Sequence, residues 1–190
     1  MRLRPSGGGR PRPPIRVAAG ERVLAWAEAH FGEAHFGEAH FGEADAGEAD
    51  AGEATETVVA GTRDALYVGP TRVAWELVEA ADWDRDTSVL RVREVGSWGE
   101  RRPEHVLTIE EPGRLLELVR ERITASVVLQ RHVPIEGRRG LRVIARRAPR
   151  GDRPITWVYE YDVGIDPSDP EVQRVADEAL AAARGEVGEV

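Results

Sequence analysis

Apolar and polar positions change period along this chain of 190 residues, and the changes mark its elements. Over 21–28, Val23, Ala25 and Ala27 share one face and Leu24 and Trp26 the other, which predicts a strand. Runs at 58–61 and 66–68 flank the turn-like Thr62-Arg63-Asp64-Ala65 and predict a tight hairpin. Gly69-Pro70-Thr71 predicts the next turn. Further β-rich runs lie at 73–78 and 88–95, with the turn between them placed in 80–86, and at 105–109. The period then becomes helical. Over 112–125, Leu115, Leu118, Val119, Arg122 and Ile123 fall on one side, Pro112 suits a first turn, and Glu110 and Glu111 suit the helix dipole.

A second β region follows, with runs at 127–135, 141–147 and 155–163 and a turn at 137–140. Residues paired in a hairpin must share a face, so a register near 142 opposite 160 sets Arg142 against Glu160 and Val143 against Tyr159. The chain closes on a helix with Asp169 as N-cap, Pro170 at its first position and Gly185 expected just past its end. Its stripe of Val172, Val175, Ala176, Ala179, Leu180 and Ala183 is narrow and Ala-rich, which predicts close packing on a sheet.

Two stretches fit neither period. Residues 1–19, with Gly7-Gly8-Gly9 and Pro11-Arg12-Pro13-Pro14, read as a disordered basic tail. Residues 28–56 contain GEAHF at 32–36 and 37–41 and GEADA at 42–46 and 47–51. A helix here would carry five Gly, each costing about 1 kcal/mol relative to Ala. A five-residue step also turns about 140° around a helix, so His30, His35 and His40 would share no face. The stretch reads as a low-complexity insertion rather than a metal site.

Composition removes chemistry rather than supplying it. The absence of Cys excludes disulfides, thiol catalysis and thiolate metal sites. All 26 basic residues are Arg, which reads as codon bias and also removes Schiff-base and P-loop lysines. No apolar run approaches the roughly 20 residues of a membrane span, and the first 20 residues lack a secretory signal's apolar core, so a cytoplasmic protein is expected. The net charge of −8 hides an alternation: +5 over 1–22, −9 over 23–62, −3 over 63–130, +6 over 131–153 and −7 over 154–190.

The run Gly20 to Ala25, then Val58 to Val68, resembles the opening of bacterial PH-like domain proteins. Val73-Ala74-Trp75-Glu76-Leu77-Val78 and Trp83-Asp84 resemble that family's strand-turn segment, and the strand at 105–109 with its following helix resembles the helix that plugs an open PH barrel. Residues 127–185 resemble the extension of an actinobacterial family of such proteins. The resemblance implies an α+β fold: an antiparallel, β-rich, PH-like partial barrel with a capping helix, followed by a β-hairpin and a C-terminal helix. Its divisions are a tail at 1–19, a PH-like domain at 20–126 interrupted by the insertion at 28–56, and an extension at 127–190.

That resemblance implies a binding scaffold that contacts another protein, without cofactor or metal. Phosphoinositide binding in the first hairpin is disfavoured, because nine acids and no base occupy 23–62. The alternative is an anion site for nucleic acid or acidic lipid built from Arg131, Arg138, Arg139, Arg142, Arg146, Arg147, Arg150 and Arg153, acting by phosphate neutralisation. Pairing of these arginines with the acidic 160–178 stretch is the competing account. His105 and His132 read as structural strand residues, Asp82, Asp84 and Asp86 as a solvated turn, and Arg150-Gly151-Asp152 as a chance tripeptide. An enzyme would need a deep pocket that gathers His105 or His132 with acids.

Overall fold

A computed structural model of the chain describes residues 13–31, 55–96, 103–151 and 153–189. Residues 1–12 of the expected tail, 32–54 of the repeat and Asp152 of the tripeptide lie outside the described residues. Seven strands form one sheet: β1 (Ala25–Phe31), β2 (Glu56–Gly61), β3 (Ala65–Val68), β4 (Thr71–Ala74), β5 (Val78–Asp84), β6 (Val89–Glu94) and β7 (Glu104–Thr108). Their order is β4-β3-β2-β1-β7-β6-β5, every pair is antiparallel, and the sheet is open, with β4 and β5 at its edges. Helix α1 (Leu115–Ser126) closes over it, and Leu115 and Val119 join Val59, Leu66, Trp75 and Leu107 in the main core.

The helix passes directly into β8 (Val127–Glu136), which pairs with β9 (Arg139–Arg146) and through it with β10 (Thr156–Tyr161). Helix α2 (Pro170–Val187) lies on this second sheet, with Ala176, Ala179 and Ala183 against Leu141 and Val143. Small residues let the helix approach closely, as the Ala-rich stripe predicts. The β9–β10 register sets Arg142 opposite Glu160 and Val143 opposite Tyr159, as face parity requires. The α+β architecture, the antiparallel sheets, the capping helix and the terminal helix therefore stand as read.

Several boundaries differ, each for a local reason. The run at 73–78 is broken by a single 3-10 turn at Trp75–Leu77, and β5 then occupies the stretch expected to turn. A register shift between Val78 and Ala80 is the cause: it inserts one residue, so the inward positions pass from Val78 to Ala81 and Trp83 and period-two alternation fails. Pro112 lies before α1 rather than in its first turn, because Gly113 at φ 51° cannot be helical. Asp169 caps α2 by accepting from the Glu171 N–H at 2.7 Å, but α2 runs past Gly185 and ends at Gly188, the residue with φ 76°. Ile15 and Val17 of the expected tail pack beside Ala60, Ala65 and Tyr67, and the Ala18 N–H donates to the Tyr67 hydroxyl at 2.9 Å, so 13–19 are seated on the sheet. Strand β1 continues to Phe31 and β2 starts at Glu56, so both ends of the expected insertion belong to the sheet.

Candidate functional site

The eight arginines of 131–153 do not converge on one surface. Arg131 pairs with Glu186 of α2, Arg139 with Glu136 at 2.8 Å, and Arg142 with Glu160 at 3.5 Å. Arg150 grips Asp64 through two contacts, at 2.6 and 2.7 Å, and Arg153 stands 3.7 Å from Glu76. Among the described residues, Arg138 and Arg147 have no ion-pair partner, and they lie at different places, one at the β8–β9 turn and one just past β9.

Arg146 leaves the set of anion ligands altogether. It is 4% exposed, and its guanidinium donates to the Val78 and Glu79 carbonyls at 2.8 and 2.9 Å and to the Ser126 hydroxyl at 3.3 Å. These are the carbonyls at the β5 register shift, where the ladder is locally disrupted. Burial draws the Arg146 pKa below its ordinary value, against the opposing charges of Glu160 and Glu79. The planar fork satisfies two diverging acceptors at once, which a single ammonium could not.

Two surfaces remain that could hold something. The first is a polar cleft of about 240 Å³ where the β9–β10 connection meets the first sheet, with Glu21, Asp64 and Glu76 facing Arg72, Arg150 and Arg153. Glu21 is fully engaged: it accepts from Thr62 at 2.6 Å, from Tyr67 at 3.2 Å, and twice from Arg72 at 2.7 and 2.9 Å. Burial works to raise its pKa, but the bonds from Thr62, Arg72 and Tyr67 outweigh it and hold the carboxyl below its ordinary value.

The second is an apolar groove of about 470 Å³ between the β5–β6 hairpin and α1, walled by Ala81, Trp83, Leu90, Leu116, Val119 and Ile123. Glu79 and Arg120 also line it. On the outer side of β5 no strand pairs among the described residues. An unpaired edge beside an apolar groove is a template for strand addition. Sequence reasoning missed this groove. Trp83 falls in a stretch that reads as a turn, and Leu116 lies off the stripe that the helical period selects.

The two strand histidines singled out in the sequence, His105 and His132, are each tied to a single acid. His105 meets Glu94 at 2.7 Å across β6 and β7, and His132 meets Asp162 at 3.2 Å. Asp162 also accepts from the Gly140 N–H, and these bonds hold its carboxyl below the ordinary value. Asp84 accepts from the Asp86 and Thr87 N–H groups and so closes the β5–β6 turn. No group of three or more candidate metal ligands occurs among the described residues, and none of the described helices is long and apolar enough to cross a membrane. Comparison of the chain with protein-family models, with curated proteins and with solved structures finds no match.

Proposed function

We propose that this protein is a cytoplasmic, non-enzymatic binding module of PH-like build, and that its partner is an extended segment of another protein added as a strand beside β5. The observation that carries the reading is that, among the described residues, no strand pairs on the outer side of β5, which lies alongside the apolar groove and has only its Val78 and Glu79 carbonyls engaged by Arg146. Backbone bonding to the edge supplies affinity, and the groove selects apolar side chains on alternate positions. The strand order, with a helix following the seventh strand and covering an open sheet, supports the PH-like comparison.

Charge narrows the partner. Strand β5 carries Glu79, Asp82 and Asp84 and no base, so a second copy of β5 would bring three more acids to the same edge. A segment alternating apolar with basic residues is complementary to it.

Display selection of extended peptides on the full chain, followed by backbone amide NMR, tests this. Selected peptides are expected to alternate apolar and basic residues and to perturb amides of β5 and α1. Leu116→Glu is expected to weaken binding by about tenfold or more, the scale of losing an apolar anchor. Perturbation at Arg138 and Arg147 by anionic vesicles or duplex nucleic acid, fading with salt and leaving β5 untouched, would replace this reading with the anion-binding one.

A further inference from the structure

The polar cleft at the junction of the two sheets holds a carboxylate whose bonding is incomplete. Glu76, in the turn at Trp75–Leu77, is 8% exposed. Its Oε2 atom is buried and accepts no hydrogen bond among the described residues. Its Oε1 atom faces Arg153 at 3.7 Å, an ion-pair distance too long for a hydrogen bond. The neighbouring carboxylates differ sharply: Glu21 accepts four bonds and Asp64 is gripped twice by Arg150. Buried polar atoms are almost always paired, so one unpaired oxygen on a residue that lines the cleft marks a place for a donor.

The cleft's charge says what kind of donor. Among the described residues three carboxylates face three guanidiniums, a balanced set that favours a ligand without net charge. The acids are deep, with side-chain exposures of 8, 18 and 11%, while Arg72, Arg150 and Arg153 stand at the rim with 31, 42 and 59%. Arg153 is the most exposed of them and makes no hydrogen bond to its acid, so its fork is free to turn toward an incoming anion. A volume of about 240 Å³ falls below the range that takes drug-sized molecules.

We propose that this cleft binds a small zwitterion of the amino-acid class, its ammonium donating to Glu76 Oε2 and its carboxylate received by Arg153. Oε2 is closed to solvent with Arg153 in place, so binding requires the Arg153 guanidinium to swing off Glu76 and take the ligand's carboxylate instead. The proposal is independent of the β5 groove, which lies on other elements.

Isothermal titration of the full chain with a panel of free L-amino acids, and separately with ethylamine and with acetate, tests it. At least one amino acid is expected to bind at concentrations up to about 10 mM, and each half-ligand to bind about tenfold more weakly or worse. Glu76→Gln and Arg153→Gln are each expected to lower the affinity by about tenfold or more, since each removes a charge-assisted bond. Arg153 is exposed, so its variant keeps the test sound if Glu76→Gln fails to fold. Absence of binding across the panel overturns the proposal. So does amino-acid binding that Arg153→Gln leaves unchanged, or acetate binding as tight as the amino acid's.

Discussion

Thr62 is wholly buried, and its hydroxyl donates to Glu21 while accepting from the Asp64 and Ala65 N–H groups. One side chain thus closes the β2–β3 turn and orients a carboxylate from 41 residues away. Glu21 in turn receives the Arg72 fork from β4, so the chain entering β1 is fastened to both β3 and β4. Charge-assisted bonds of this kind outlast the desolvation that opposes them. Glu21→Gln is therefore expected to cost about 1–2 kcal/mol at pH 7. The pH dependence has a definite sign. The folded carboxyl titrates below the ordinary Glu value of about 4.3, so its contribution is complete above that value and is lost as pH falls through the folded pKa. Urea unfolding at pH 7 and at pH 3 should show the gap between wild type and variant closing in acid. A gap of equal size at both would mean that packing, not the charge, does the fastening.

At the scale of elements, the irregularity in β5 and the arginine that covers it form one unit. Arg146 comes from β9, its acceptors Val78 and Glu79 from β5, and Ser126 from the end of α1. Arg146→Met keeps the bulk but leaves two carbonyls bare, at an expected cost of about 3 kcal/mol, while Arg146→Lys, with charge but no fork, should cost about 1–2 kcal/mol. Thermal unfolding ranks the three proteins, and a Met variant as stable as wild type would refute the role. This unit also marks where reading the sequence stops. Where alternation is intact, as in Leu141–Arg146 and Thr156–Tyr161, parity restricts the register to matching faces, and Arg142 meets Glu160 as expected. Where one residue is inserted at Val78/Ala80, alternation inverts, and a strand ending in Trp83-Asp84 looks like a turn. The groove and the buried role of Arg146 follow from that inserted residue, so neither was legible. An Arg-rich run gives no sign of which guanidinium is buried, because that depends on a strand 68 residues away. The sequence reading ends the helix at Gly185, but the left-handed backbone falls at Gly188, where α2 stops.

For the whole molecule, the seven-stranded sheet depends on a short seam. Strands β4, β3, β2 and β1 form one half and β7, β6 and β5 the other, and among the described residues β1 joins β7 only through His30 opposite Thr108 and Phe31 opposite Leu107. Both seam residues fall inside the stretch 28–56 that composition marks as an insertion. The same stretch includes Ala29, which is 1% exposed in the core, and Glu56, which pairs with His30. Removing 28–56 would therefore cut the seam, and the expected outcome is a chain that loses cooperative unfolding or fails to accumulate. Removing 32–54 is a different operation. The Phe31 N–H donates to the Thr55 carbonyl at 3.2 Å, so the two strand ends already lie one hydrogen bond apart. A two-residue Asn-Gly link between Phe31 and Thr55 suits that geometry, since such links close antiparallel pairs. This shorter deletion should leave a single unfolding transition with a midpoint within about 5 °C of wild type, a span equivalent to roughly 1–2 kcal/mol in a domain of this size. Calorimetry on the two deletions decides the matter: a 28–56 deletion that unfolds as cooperatively as the 32–54 deletion would show that the seam does not hold the halves together.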